Sequence, residues 1–198
     1  SVPVVFWLIV NRGGEQGAQH SQALHTLFSH IPGLKVVAPS TPSDAKGLLI
    51  AAIRDNNPVV FIDDRWLYRF DEHVPEEIFE IPIGKGIVRK KGKDVTLISF
   101  SYMAYESQIA VTELEKQGID VELIDLRTLK PLDGDIIFQS VKKTGRLVIA
   151  DGSWKMCGYS AEIAARIAET GPEWLKSAVM RVNLPDTPAP ASNSLEKA

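Results

Sequence analysis

The sequence predicts an α/β fold in two units, each built around a mostly parallel sheet. Apolar, strand-like runs alternate with helical patterns along the chain, an order that gives parallel strands joined by right-handed crossovers. Residues 58–62 form a continuous apolar run, which is typical of a strand covered on both faces. Gly118 and Gly145 stand where two helices should end. A chain of 198 residues can bury one large core or two small ones.

The first unit is predicted to span residues 1–82. Its elements are, in order, a buried strand at 2–10, an amphipathic helix at 21–30, a strand at 33–39, a helix opened by Ser40, Thr41 and Pro42, a strand at 58–62 and a connection at 63–82. The apolar positions that define the two helices are Leu24, Leu27, Phe28 and Ile31 in the first, and Leu48, Leu49, Ala52 and Ile53 in the second.

The second unit is predicted to span residues 83–198. Its strands are expected at 94–100, 121–126, 146–150 and 179–182, and its helices at 106–117, 135–143 and 160–169. The basic residues at 89–93 lie between two strand-like runs and predict a solvated hairpin turn. A Pro, Ala and Ser-rich tail at 185–193 is expected to be extended.

Composition excludes several classes of protein. The chain is 44% hydrophobic and 24% charged, as in ordinary globular proteins, and its net charge of −3 argues against a nucleic-acid partner. Cys157 is the single cysteine, so an intrachain disulfide and a CxxC site are excluded and a reducing compartment is favoured. The apolar run at 2–10 is too short to cross a membrane, and no leader is evident. Ser1 leads directly into a strand, which indicates a trimmed piece of a longer chain or a residue left by expression.

An active-site loop is predicted at residues 17–22. His20 lies there among small and amide-bearing residues, after a flexible turn at 11–14. An imidazole titrates near neutral pH and can donate or accept a proton under physiological conditions, so His20 is the candidate catalytic group. The alternative is a loop histidine whose nitrogens are satisfied by packing. His25, His30 and His73 are expected at a helix surface, a helix end and the connection.

Four motifs carry a resemblance to a known family. They are AQHSQ at 18–22, HIPGLKVVAPSTPSDAKGLL at 30–49, AIRDNNPVVF at 52–61 and IDLRTLKPLD at 124–133. Together, in register from about Val2 to Lys197, they resemble the β subunit of the thiamine diphosphate-dependent 2-oxo acid dehydrogenase E1 component, of the transketolase-like superfamily. The resemblance implies the C-terminal half of a pyrimidine-binding α/β domain, followed by a transketolase C-terminal-like α/β domain. It also implies that the first part of the first domain, with the glutamate that bonds the aminopyrimidine ring, is missing.

The resemblance implies an activity and a set of partners. The expected reaction is oxidative decarboxylation of pyruvate or a branched-chain 2-oxo acid, with acyl transfer to lipoamide. His20 would face the thiazolium end of thiamine diphosphate and assist proton transfer. The cofactor and its Mg²⁺ would be held mainly by the partner E1 α subunit, because a GDG-type diphosphate motif is missing from this chain. A second β subunit, in an α2β2 assembly, and the lipoyl acyltransferase E2 complete the expected partners, in the cytoplasm or the mitochondrial matrix.

A potassium site is the second implied site. The resemblance assigns it to main-chain carbonyls of five residues, which are Val4, Ala52, Ile53, Asp55 and Asn57. The carbonyls at a helix C-terminus carry partial negative charge and suit a weakly hydrated cation. A plain helix end followed by an Asn-Asn-Pro turn accounts for the same residues equally well.

Three further residues resemble structural positions of the family. Asp125 and Arg127 alternate at a strand end, which favours a structural salt bridge or loop anchor over catalysis. Trp154 lies in a loop that resembles a subunit contact, with a buried core tryptophan as the alternative.

The sequence also leaves other functions open. Where the family has an Arg-x-Pro-Asn-Gly-like stretch after its first strand, this chain has the apolar residues 7–11, so the loop before His20 is expected to be placed differently. A non-catalytic assembly module is one alternative, because half a pyrimidine domain without its glutamate cannot activate the cofactor alone. Acetoin dehydrogenase or deoxyxylulose phosphate synthase chemistry is another.

Overall fold

The computed structural model describes residues 2–11, 17–192 and 194. In that part of the chain the strands are β1 Val5–Val10, β2 Lys35–Val37, β3 Val59–Asp64, β4 Ile87–Lys90, β5 Val95–Ser99, β6 Val121–Asp125, β7 Thr128–Lys130, β8 Leu147–Trp154 and β9 Met180–Leu184. The α-helices are α1 His25–His30, α2 Pro42–Arg54, α3 Tyr102–Lys116, α4 Gly134–Thr144 and α5 Tyr159–Thr170. Short 3₁₀ turns cover Ala18–His20, Arg65–Arg69 and Pro172–Trp174.

The first sheet has the strand order β1-β3-β2-β7. β3 is parallel to both β1 and β2, while β7 is antiparallel to β2. The sequence pattern does not predict β7, because three residues followed by Pro131 are too short a run to show a period. Since β7 comes from the second half of the chain, the first sheet is completed by residues of the second unit.

The second sheet has the strand order β4-β6-β5-β8-β9, with β4 antiparallel and the other pairs parallel. The predicted fold of two mostly parallel α/β sheets is therefore confirmed. The hairpin expected at 89–93 is wrong, because β4 pairs with β6 rather than with β5. The guanidinium of Arg89 forms ion pairs with two buried carboxylates, so its side chain is mostly buried.

One hydrophobic core joins the two sheets. It takes Val36, Val60 and Ile62 from the first sheet and packs them with Ile98 and Ile149 of the second. All five side chains are almost fully excluded from water. The two sheets are therefore held together mainly by apolar burial, which is proportional to the area removed from water.

The helix boundaries follow local chemistry. α2 begins as predicted, with the Thr41 hydroxyl accepting the amide of Asp44 at 3.1 Å and Pro42 in the first turn. α4 ends at Gly145, whose φ of 73° is the left-handed conformation expected of a C-terminal glycine. α1 is shorter than predicted and begins at His25, because residues 21–24, after the 3₁₀ turn at Ala18–His20, are not helical. In the described part of the chain, each helix is too short or too polar to cross a membrane.

The first strand is less buried than its composition predicts. β1 lies at the edge of its sheet, so Phe6, Trp7 and Ile9 remain about half exposed. Ile53 on α2 is also exposed, although its spacing predicted a buried face.

Candidate functional site

His20 ends a 3₁₀ turn that follows β1, and its side chain is exposed. Gly17 opens the turn with a φ of 92°, a left-handed conformation that glycine adopts without strain. The Gly17 carbonyl accepts the amide of His20 at 3.2 Å and the hydroxyl of Ser21 at 3.0 Å. The predicted turn at 11–14 lies outside the described residues except for Asn11. His20 is therefore a solvent-accessible imidazole on a hydrogen-bonded turn.

One main-chain hydrogen bond links Asn11 to the segment that follows His20. The amide of Asn11, directly after β1, donates to the carbonyl of Gln22 at 3.4 Å. We use the name His20 loop for residues 17–22.

A buried histidine follows the His20 loop. His25, the first residue of α1, lies 3.0 Å from a carboxylate oxygen of Asp151 on β8, and both side chains are almost fully buried. The ring of His25 also meets Phe100 edge to face, with centroids 4.9 Å apart. The expectation of a helix-surface histidine at position 25 is therefore wrong. His30 and His73 are exposed, as expected of a helix end and a connection.

Asp64 is a second buried acid, and it is in contact with Asn11. It ends β3, and its carboxylate accepts from Asn11 Nδ2 at 2.5 Å, Ser101 Oγ at 3.1 Å and the amide of Trp66 at 3.0 Å. Burial raises the pKa of Asp64, although these hydrogen bonds oppose the rise. Asn11 and Ser101 both have positive φ, 58° and 55°, so two non-glycine residues are strained where they meet this carboxylate.

A small cavity lies beside Asp64 and His25. Its walls include Asn11, His25, Asp64, Ser101 and Gly152, and its volume of about 10 Å³ is near the least that a water molecule requires. It is too small to hold a substrate.

A network of charges joins the two halves of the chain. Arg89 on β4 binds Asp44 of α2 and also donates to Asp125 at 2.8 and 3.0 Å. Arg127 lies 3.3 Å from Asp44 and donates to the carbonyls of Lys85 and Gly86. Asp125 and Arg127 are thus structural, each in an ion pair, although not with each other.

The five residues of the predicted potassium site lie at the start of the first sheet. The carbonyl of Val4 accepts the amide of Val59 at 2.9 Å, and the carbonyl of Ala52 accepts the amide of Asp55 at 3.3 Å. The carboxylate of Asp55 binds the ammonium of Lys35 and the amide of Asn57. Although burial opposes ionisation, these contacts hold the pKa of Asp55 below its usual value. A cation here would meet main-chain oxygens, because Lys35 already neutralises the carboxylate.

Trp154 is not a fully buried core tryptophan, and its role at a subunit contact stays a prediction. It is partly exposed, and its indole nitrogen donates to the carbonyl of Thr187 at 2.6 Å, so it holds down the chain's own C-terminal segment. Among the residues that the structure describes, no cluster of three His, Cys, Asp or Glu side chains could hold a metal ion.

Comparison with protein families gives two matches in order along the chain. The transketolase pyrimidine binding domain matches residues 1–71, and the transketolase C-terminal domain matches residues 84–198. A solved structure described as a split gene transketolase, inactive beta4 tetramer, superposes with a TM-score of 0.82 at 25% identity, over 98% of this chain and 60% of that one.

Curated relatives are closer in sequence. The β subunit of acetoin:2,6-dichlorophenolindophenol oxidoreductase from Cupriavidus necator is 46% identical over 98% of this chain and 57% of its own length. The pyruvate dehydrogenase E1 component β subunit of Bacillus subtilis is 47% identical over 88% of this chain and 54% of its own. The chain thus spans a little over half the length of these relatives, and the resemblance read from its four motifs is confirmed. Because the C-terminal domain alone accounts for more than half of its residues, the chain belongs to the transketolase family, as a pyrimidine-binding domain followed by a transketolase C-terminal domain.

Proposed function

We propose that this chain is the C-terminal portion of an E1 β subunit and acts with partner chains in thiamine diphosphate-dependent oxidative decarboxylation of a 2-oxo acid. The observation that carries the proposal is the exposed His20 imidazole on a hydrogen-bonded 3₁₀ turn, in a chain 47% identical to a pyruvate dehydrogenase E1 β subunit. Pyruvate and branched-chain 2-oxo acids are the proposed substrates, with the acyl group passed to a lipoyl group of an E2 acyltransferase.

His20 is the proposed proton carrier of the site. When bound, thiamine diphosphate supplies the nucleophilic carbon and the electron sink for decarboxylation. The chain contributes an imidazole that can hold or release a proton near neutral pH, and its exposure lets it reach a cofactor held by another chain. The 3₁₀ turn fixes the backbone of His20, so the imidazole needs little reordering to meet the reacting atoms.

The diphosphate and its Mg²⁺ are assigned to a partner E1 α subunit. In this division the chain contributes the accessible imidazole of His20. A second β subunit completes the proposed α2β2 assembly, which we place in the cytoplasm or the mitochondrial matrix. A free exposed thiol at Cys157 is consistent with such a reducing compartment.

Potassium is proposed at the start of the first sheet, on the carbonyls of Val4, Ala52, Ile53, Asp55 and Asn57. The C-terminal end of α2 supports the proposal, because the carbonyls at a helix C-terminus carry partial negative charge. The ion would bind there through main-chain oxygens and stiffen the junction between α2 and β3.

The test is reconstitution with an α-type subunit and with a segment that supplies the rest of the pyrimidine-binding domain, followed by thiamine diphosphate-dependent reduction of 2,6-dichlorophenolindophenol with pyruvate, branched-chain 2-oxo acids or acetoin. His20→Ala should lower kcat by about 10²–10⁴-fold, the usual contribution of a positioned acid or base. His73→Ala is the matched control, because His73 is exposed on the connection, and it should leave kcat unchanged. Full activity of His20→Ala would contradict the role given to His20.

Acetoin is the second candidate substrate. It is favoured by the β subunits of acetoin:2,6-dichlorophenolindophenol oxidoreductase from Cupriavidus necator and Bacillus subtilis, which are 46% and 43% identical over 98% of this chain. In the same assay, dye reduction with acetoin but with none of the 2-oxo acids would identify acetoin as the substrate.

A non-catalytic assembly module is the third candidate. The similar split gene transketolase is described as an inactive β4 tetramer, so a related chain of this fold assembles without activity. Native mass spectrometry that finds only copies of this chain, together with no turnover after addition of an α-type subunit, would favour this candidate over both enzymatic ones.

A further inference from the structure

The residues that flank the His20 loop are bonded to the second domain, directly or through Asp64. On the N-terminal side Asn11 binds Asp64, which also binds Ser101, and on the C-terminal side His25 binds Asp151. Ser101 and Asp151 belong to the domain that matches residues 84–198, whereas the loop belongs to the domain that matches residues 1–71. The position of the loop therefore depends on contacts that cross between domains.

We propose that the buried His25–Asp151 pair positions His20, so that His25 and Asp151 are positioning residues for the proton transfer assigned to His20. This inference rests on the proposed function for its catalytic consequence. Its structural part, that the pair fixes the His20 imidazole, can be tested on the chain itself.

Asp151 is built to hold His25 in one orientation. One oxygen of Asp151 meets His25 at 3.0 Å and the amide of Ser153 at 2.9 Å, while the other accepts the Ser153 hydroxyl at 2.8 Å and the amide of Ser160 at 3.2 Å. Burial disfavours its charge, yet the bond to His25 and those from Ser153 hold the pKa of Asp151 below its usual value. An ionised carboxylate only accepts hydrogen bonds, so the Nε2 of His25 carries a hydrogen. With four partners in place, the carboxylate cannot rotate, and the imidazole is fixed with it.

The C-terminal end of α1 is also bonded to the second domain. The ammonium of Lys130 on β7 donates to the carbonyls of Ser29 and Ile31 at 2.9 and 2.8 Å. α1 is only six residues long and cannot be stable on its own. Because both ends of α1 are bonded to the second domain, the helix is fixed relative to it, and α1 in turn fixes the end of the His20 loop.

Packing around the pair leaves it little freedom. The edge of the His25 ring lies against Phe100, and the neighbouring cavity of about 10 Å³ has room for at most one water molecule. Loss of the imidazole would create a larger void beside a buried carboxylate, and water would enter. The first turn of α1 would then shift, and His20 would shift with it.

The first experiment observes His20 directly. The ¹⁵N-labelled imidazoles of the four histidines are followed by NMR in the wild-type chain and in His25→Gln, His25→Ala and Asp151→Asn. Gln can donate to Asp151 from nearly the same place as Nε2, so His25→Gln should keep the His20 resonances. His25→Ala and Asp151→Asn should move them, whereas the resonances of the remote, exposed His73 should stay fixed in all variants. Unchanged His20 resonances in a folded His25→Ala or Asp151→Asn chain would overturn the inference.

The second experiment measures turnover in the reconstituted enzyme. His25→Ala should lower kcat by about 10- to 100-fold, the usual effect of displacing a reacting group by an ångström, with the KM for thiamine diphosphate unchanged. His25→Gln should restore most of kcat, and His73→Gln is the matched control.

The outcomes separate this inference from the proposed function. If the wild-type enzyme turns over and His20→Ala does not, wild-type kcat in His25→Ala would contradict a positioning role. If the wild-type enzyme has no activity, the proposed function is wrong, and the NMR experiment still decides whether the pair positions His20.

Discussion

Asp64 is a buried aspartate whose environment differs from that of a free aspartate in water. Its side chain is buried at the end of β3, where burial raises its pKa. A raised pKa means that the folded protein binds the proton more tightly than the unfolded chain, in which aspartate titrates near 3.9. The free energy of unfolding contributed by Asp64 is therefore fully present below about pH 4 and decreases as the pH rises through the folded-state pKa.

Asp64→Asn should remove this pH dependence, because an amide does not titrate. We expect the free energy of unfolding of the variant, relative to the wild type, to rise between about pH 4 and pH 8. Urea unfolding of both proteins at several pH values measures the difference. Asp63→Asn is the matched control, since Asp63 lies on the same strand but is only half-buried. A difference between Asp64→Asn and the wild type that is constant with pH would show that Asp64 titrates normally.

Single residues also mark the limit of prediction from the sequence. His20 is recognisable because small and amide-bearing residues surround it within one short motif. His25 is not, because its partner Asp151 lies 126 positions away and only the fold brings the two together. The burial of Arg89 is not recognisable either, because its partners Asp44 and Asp125 are distant in sequence.

Among the elements, α2 depends most clearly on a single local contact. The Thr41 hydroxyl satisfies the amide of Asp44, one of the first amides of the helix that otherwise lack a partner. Thr41→Ala should lower the free energy of unfolding by about 1 kcal/mol. Thr112→Ala is the matched control, because the Thr112 hydroxyl only bonds back to Gln108 on an exposed face of α3, and alanine favours helix. Equal losses in the two variants, measured by urea unfolding, would argue against capping at Thr41.

Long elements were predictable, whereas short ones were not. The helices from α2 onward and the apolar strands carry a period that local sequence reveals. β7 has three residues and α1 has six, beginning four residues later than predicted, so neither carries enough of a period. β1 was predicted as buried because its composition is apolar, although its place at the sheet edge is set by strand order rather than by its own residues.

At the scale of the whole molecule, buried charge and apolar packing both join the two domains. Rings of Trp66 and Tyr102 stack across the junction with centroids 5.7 Å apart, and the shared core lies behind them. Arg89 binds Asp44 of the first domain and Asp125 of the second, so one guanidinium neutralises carboxylates from both.

Arg89→Met should lower the free energy of unfolding by about 3–5 kcal/mol, because it leaves two buried carboxylates without this partner. Lys91→Met is the matched control, since Lys91 is exposed, and it should change the value by less than about 0.5 kcal/mol. Chemical denaturation followed by tryptophan fluorescence measures both. A loss in Arg89→Met no larger than that in Lys91→Met would show that the buried network contributes little to stability.

The position of β1 at the margin of its sheet has a consequence for handling this chain. Among the described residues, the strand that neighbours β1 is β3, so the other side of β1 presents free amide and carbonyl groups beside Phe6, Trp7 and Ile9. Such an edge is a template for strand addition by any other polypeptide, with backbone hydrogen bonds giving affinity and side-chain pockets giving selectivity. Pairing of two copies through β1 would increase with protein concentration and would cover these three side chains. Dilution, or a chaperone bound to this strand, would limit such pairing.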